Sequence, residues 1–454
     1  MPGAALSRWT MTYFAVALAF LVGGEGMMAL GFGYPFADLA DPRTLILVHA
    51  VVIGWLSLLM GGALLQFVPV LVAHPLVGGK LALPALLAVV LGLIALLCGF
   101  VGISKGNSLF AYDLPAAAVL LVSGFSLLVV ILAATLWSAR PLSLPARFVA
   151  IGLVALVATV ALGASFALTL AGVSSSDIAV DVMLHGVSSH AMLGLGGWMT
   201  FTAIGVSYRL LTMFLLSPET ERRSWHLVWW TGALALLLVA SLAALSVFSP
   251  VSTRWVMPPA VALGLVALTA YGFDLLAIYR GRRRRAIELN SRISLWAFSA
   301  LAAAGCLMIG LTVVGIMEHG VAALTYLTVF GWLSGLGLAQ LYKIIPFLTW
   351  LECYGPVLGR TPTPRVQDLV AEGDGVLWFI LYFSSVAVAA AALLLPWPDL
   401  FRLAALSQLA ATLGLIREFA KARRLAHVST RLRLPAGAIR PNLFLPHLPA
   451  RRAP

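Results

Sequence analysis

Residues 49–69 read HAVVIGWLSLLMGGALLQFVP, and the chain uses that pattern twice more. Residues 190–212 read HAMLGLGGWMTFTAIGVSYRLLT, and residues 319–346 read HGVAALTYLTVFGWLSGLGLAQLYKIIP. The three copies align on Gly54-Trp55, Gly197-Trp198 and Gly331-Trp332. Twelve positions beyond each glycine stands one polar residue (Gln66, Arg209, Lys343), and fifteen beyond stand Pro69, Thr212 and Pro346. Each copy is long and apolar enough to cross a bilayer, whose hydrocarbon core takes roughly 20 residues of helix. A pattern recurring at wide, regular spacing means one supersecondary unit used three times.

Working outward, nine further apolar runs complete the count. The spacing predicts helices near 11–33, 44–72, 81–104, 114–137, 147–171, 181–215, 226–248, 255–279, 294–317, 319–349, 374–395 and 400–420. The expected fold is all-α and integral to the membrane, with about 12 transmembrane helices in a pseudo-threefold arrangement of three four-helix units. The units span about 11–137, 147–279 and 294–420, within a single polytopic domain over 1–420. Residues 421–454 form a basic tail. The repeat falls on the second helix of each unit. These three helices exceed the usual length, which predicts tilt or projection from the bilayer. Gly61, Gly62, Gly205, Gly335 and Gly337 would let neighbouring helices approach closely.

Composition agrees: 61% of residues are hydrophobic, 10% are charged and the mean hydropathy is +1.01, beyond an ordinary soluble domain. The net charge of +12 would suit nucleic acid if it were gathered on one face. Instead it alternates. One set of loops holds Lys80, Arg140, Arg147, Arg222, Arg223, the run from Arg280 to Arg285, Arg292, Arg360 and Arg365, and the tail adds more. The other set holds only Arg43, Lys105, Arg254 and Arg402. This asymmetry predicts a cell inner (cytoplasmic) membrane protein, multi-pass, with both termini cytoplasmic. Membrane lipids, and not nucleic acid, are the partner that the basic excess implies. The first helix lacks a short apolar core followed by a small-residue cleavage site, so it reads as retained. No CxxC or CxxCH occurs, which argues against a thiolate cluster or a covalently attached haem.

The histidines carry the chemical signal. His49 lies five positions before its repeat glycine and His190 seven before; His185 and His319 each lie twelve before. At 1.5 Å per residue the first two sit roughly 7–10 Å deeper than the second two. Two imidazoles on different helices at similar depth are suited to iron or copper. His49 and His190 are therefore the expected ligands, while His185 and His319 are either ligands or interfacial. On an ideal helix His185 and His190 point about 140° apart. Glu25, inside LVGGEGMMAL on the first helix, is the second unusual residue, because an unpaired intramembrane charge is costly. It is expected to handle a proton or orient the site, or, with Met27, Met28, Met183 and Met192, to offer oxygen and thioether donors to copper. Gln66, Arg209 and Lys343 either snorkel to headgroups or form a polar cluster on the repeat axis.

The stretch from Arg43 through His49 to Pro69 resembles the haem-binding second helix of haem–copper oxidase subunit I and its nitric-oxide-reductase relatives. His49 stands twenty residues before Pro69, the register that family gives its haem histidine. In the other copies Met192 and Tyr326 hold this register, with His190 two residues ahead of Met192. A weaker similarity links the chain to NnrS-type haem and copper membrane proteins. The resemblance implies a b-type haem near the outer face, bound by His49 and by His190 or Met192. It also implies electron transfer or oxygen or nitric-oxide chemistry, with a periplasmic electron donor or other respiratory subunits as partners. The chain departs from the oxygen-reducing members: helix six carries HGVSSHAM, and helix seven offers only His226. A complete oxidase is therefore not expected. The alternatives are a polytopic transporter of metal, haem or a small solute, and a cofactor-free assembly subunit.

Overall fold

The computed structural model describes residues 9–108, 110–218, 221–245 and 252–432, together with Leu434 and Leu443. Most of the basic tail, His447 included, lies outside the described residues. Among them, twelve helices are long and apolar enough to cross a membrane. They are α1 (Thr10–Ala29), α2 (Pro42–Leu71), α3 (Gly79–Ser104), α4 (Phe110–Ser138), α5 (Leu144–Leu170) and α6 (Asp177–Leu215). After them come α7 (Arg223–Leu242), α8 (Trp255–Arg280), α9 (Leu289–Val314), α10 (Met317–Val357), α11 (Glu372–Leu394) and α12 (Pro398–Arg423). The chain is an all-α, multi-pass membrane protein. Leu87, Leu91 and Ile94 on α3 are exposed as large apolar side chains, as a lipid-facing surface requires.

Local chemistry sets the ends. α1 stops at Ala29, short of the expected 33, because Gly31 and Gly33 take positive φ and turn the chain. α2 begins at Pro42, where Asp41 accepts the Arg43 backbone N–H and proline occupies the first turn. Ser176 caps α6 in the same way through the Ala179 N–H, which starts that helix earlier than the expected 181. Gly315, at φ +78°, separates α9 from α10. α10 overruns the expected 349 and continues to Val357, since neither Gly nor Pro occurs between Pro346 and Gly355-Pro356.

The three repeat helices share a feature beyond sequence. Each widens into a π-helical segment over Ala50–Ser57, Leu193–Phe201 and Leu327–Ser334, starting four positions ahead of Gly54, Gly197 and Gly331. A π turn places one extra residue per turn and is uncommon outside functional or strained positions. Each repeat glycine admits the helix that precedes its own: a Cβ on Gly54 would strike Phe20 of α1 at 2.4 Å, one on Gly197 would meet Ala155 of α5 at 2.5 Å, and one on Gly331 would meet Ala300 of α9 at 2.8 Å.

The tryptophans then tie the copies together. Trp55 Nε1–H donates to Ser334 Oγ at 2.8 Å, Trp332 Nε1–H to Thr200 Oγ1 at 3.2 Å, and Trp198 Nε1–H to Ser57 Oγ at 3.4 Å. Every acceptor stands three positions after its own glycine, so the bonds run from copy one to three, three to two and two to one. All three indoles are fully buried. Ser57 and Ser334 pass their own protons to Val52 O and Val329 O, carbonyls of the π turns. Buried indole N–H groups thus find partners in a setting without water.

Candidate cofactor site

His49 ends the first α-helical stretch of α2, immediately before the π segment. Its Nδ1 lies 2.8 Å from Leu45 O, one turn earlier. His190 lies three residues before the π segment of α6, and its Nδ1 is 3.0 Å from Thr159 O on α5. A carbonyl oxygen only accepts, so each Nδ1 carries a proton, and in the neutral ring each Nε2 then keeps its lone pair. The two imidazoles lie within electrostatic range of each other. His49 stands on α2 beside α3, and His190 on α6 beside α5.

The walls are apolar. Phe100 of α3 packs on His49 at 5.3 Å between ring centroids, and Phe166 of α5 meets His190 edge-on at 5.5 Å. Ile46, Leu96, Leu114 and Ala167 fill the space around Phe100. Gly163 forms a cradle, since a Cβ built there would stand 3.0 Å from His190 Cε1. Among the described residues no cluster of three or more His, Cys, Asp or Glu side chains is set to hold a metal ion. The donor set that the structure gathers is two neutral imidazole nitrogens.

The other sequence-derived residues are distributed differently. His185 is exposed, with Nδ1 3.1 Å from Asp181 O in its own preceding turn. His319 is exposed in the first turn of α10. Met192 packs with Ala155, Leu193, Val239 and Ala260, a hydrophobic cluster drawn from α5, α6, α7 and α8. His49 and His190 therefore lie within electrostatic range of each other, while Met192 packs in a separate apolar cluster and His185 and His319 are exposed.

Glu25 belongs to a second polar group on another side of the molecule. It is fully buried where α1 packs on α12, and its Oε1 accepts from Gln408 Nε2 at 2.8 Å and from Thr412 Oγ1 at 3.0 Å. Tyr326 OH donates to Gln408 Oε1 at 2.6 Å, extending the chain to α10. Glu25 Oε2 has no hydrogen-bond partner. Gln408 and Thr412 were not apparent from sequence, although a glutamine inside an apolar span is a usable signal. Asp274 was missed for the same reason. It is buried in α8 and accepts from Tyr208 OH at 2.8 Å and from Ser224.

Gln66 and Lys343 each turn to the start of their unit's first helix. Gln66 Nε2 donates to Thr10 Oγ1 at 2.9 Å, and Lys343 Nζ pairs with Glu288 at 2.6 Å, just ahead of α9. Burial on its own would raise the Glu288 carboxyl. Lys343, Gln367 and Arg284 together outweigh it and hold the group below the ordinary glutamate range. No protein-family model and no curated protein matches the chain.

Proposed function

We propose that the chain is a haem-binding membrane protein that holds one b-type haem between His49 and His190, for electron transfer or for chemistry on a small gas such as oxygen or nitric oxide. The observation that carries this reading is the matched tautomer. Both Nδ1–H groups are committed to main-chain carbonyls, which orients the rings and leaves both Nε2 lone pairs for a metal. Two imidazoles are also the number of protein ligands that a six-coordinate haem takes, the macrocycle supplying the rest. The bound group would supply a one-electron couple. The residues of this chain bind and orient it: Leu45 O and Thr159 O fix the rings, Gly163 leaves room for His190, and Phe100 and Phe166 keep water away.

The closed cycle of tryptophan bonds supports a pseudo-threefold arrangement of three four-helix units, in line with the resemblance to haem–copper oxidase subunit I. It speaks against the six-plus-six organisation of many transporters. The loop charges support cytoplasmic termini, which puts the histidine pair toward the outer face, within reach of a periplasmic electron donor. Copper on the same nitrogens is the alternative cofactor.

The test is a dithionite-reduced minus oxidised visible spectrum of detergent-purified protein made with ample haem, with metal analysis on the same sample. A b-type α-band near one haem per chain, lost in His49→Ala and in His190→Ala but kept in His185→Ala and His319→Ala, is the expected result. A flat spectrum with no bound metal overturns the reading.

A further inference from the structure

α2, α6 and α10 run in the same direction, so the residues after their tryptophans continue toward the end of the bundle that holds the start of α1. There, on the far side of the tryptophan cycle from the histidines, the three repeat helices line a partly open cavity of about 100 Å³. Leu59 and Ala63 of α2, Ala203 and Leu211 of α6, and Leu336 and Ile344 of α10 line it. Every copy of the repeat contributes a wall. Gly337 faces α2 closely: a Cβ there would lie 2.5 Å from Leu59 Cδ2, so a larger residue would push that side chain aside.

The lining offers water almost nothing. Ser207 donates its hydroxyl proton to Ile204 O at 2.7 Å and is bonded to Tyr271 OH at 2.6 Å. Gln340 gives its amide N–H to Ser294 Oγ at 2.9 Å, which leaves only Gln340 Oε1 unpartnered. A buried water needs 2–4 polar partners, whereas apolar cavities of comparable size, about 150 Å³, stay dry and take up benzene or xenon. At about 100 Å³ this cavity is ample for a diatomic molecule or a noble-gas atom.

We propose that this cavity is a binding site for a small, neutral, apolar gas molecule, of the class of dioxygen, nitric oxide or xenon. It involves none of the residues around the histidine pair and stands independently of haem. The gas gains dispersion contacts that the empty lining lacks, and no hydrogen bond is broken when it enters.

The experiment uses xenon as the probe on full-length protein in lipid nanodiscs, followed by xenon NMR, with a xenon-pressurised structure to locate the atom. The wild type and His49→Ala should both show one saturable xenon site in this cavity. Ala203→Phe and Ala63→Phe, which fill it from different helices, should abolish the saturable signal; Leu87→Phe, on the lipid-facing side of α3, should keep it. Should Ala203→Phe fail to fold, Ala63→Phe alone decides. The proposal is overturned by absence of saturable binding in wild type, by xenon persisting in the filled variants, or by an acyl or detergent chain found in the cavity.

Discussion

The position five residues before the repeat glycine holds His49 in the first copy and Tyr326 in the third, and the two do opposite things with the same scaffold. His49 turns its proton back onto its own helix and leaves Nε2 free beside His190. Tyr326 spends its hydroxyl on Gln408, whose amide in turn serves Glu25. In the second copy the position is Met192, absorbed into apolar packing. The π turn, the glycine contact and the tryptophan bond recur in all three. Backbone architecture is thus common to the copies, and the polar chemistry differs between them: a histidine on α2 within electrostatic range of one on α6, and a carboxyl network where α1 meets α10 and α12.

The sharpest way to break this comparison is at the ligand pair. His49→Ala and His190→Ala should each abolish the reduced-minus-oxidised haem signal, and Gly163→Leu should do so as well by occupying the flank of His190. Met192→Leu and Tyr326→Phe should retain it. A Met192→Leu protein that loses haem while His190→Ala keeps it would move the second ligand and undo the contrast between copies.

The carboxyl network should respond through stability. Glu25→Ala leaves the Gln408 amide and Thr412 hydroxyl without an acceptor in a buried, apolar setting, at a cost of about 1–3 kcal/mol. Glu25→Gln keeps the shape and one acceptor oxygen, so it should cost clearly less. Thermal unfolding in one detergent, compared across wild type and the two variants, checks the order; a Glu25→Ala protein that melts with the wild type would mean that the network contributes no stability. The haem spectrum should survive both, because Glu25 bonds to α12 and not to the histidines.

The fold was largely legible in the sequence, and its registration was not. Hydropathy located every span because lipid demands about the same apolar length each time. The residual errors at α1, α6 and α10 come from caps and glycine turns. The repeated Gly-Trp was plain, yet nothing in a linear pattern says that Trp55 reaches Ser334, 279 positions away, and not Ser57 two positions on. For the site, depth along the helix singled out His49 and His190, which lie within electrostatic range of each other. Met192 was attractive by register alone, but two residues along a helix turn a side chain about 200° from its neighbour, and this turn sends it toward Leu193 and Val239.

The tryptophan cycle offers a finer probe of how equal the copies are. Trp55→Phe removes one indole donor and should cost about 0.5–1.5 kcal/mol beyond packing. In a double-mutant cycle with Ser334→Ala the coupling should be positive. The same cycle for Trp198 and Ser57, bonded at 3.4 Å instead of 2.8 Å, should give a smaller coupling. Equal couplings would make the difference in length energetically idle.

The smallest expected effect lies at the other end of the repeat, where copies one and three differ in charge. Gln66 meets Thr10 through a neutral bond, while Lys343 meets Glu288 through an ion pair that Arg284 and Gln367 reinforce. The folded Glu288 carboxyl is held below its unfolded value, so its contribution is fully present above the ordinary glutamate pKa of about 4.3. It is lost as pH falls below that value through the folded one. Acid should therefore loosen the third repeat's end before the first. Hydrogen exchange measured down an acid series should show α9 and the end of α10 losing protection while the start of α1 stays closed. Glu288→Gln should abolish that pH step and lower protection there uniformly, because Lys343 keeps its charge and loses its partner. A step that persists in Glu288→Gln would assign the acid response to another carboxyl and remove the charge difference between the copies as its cause.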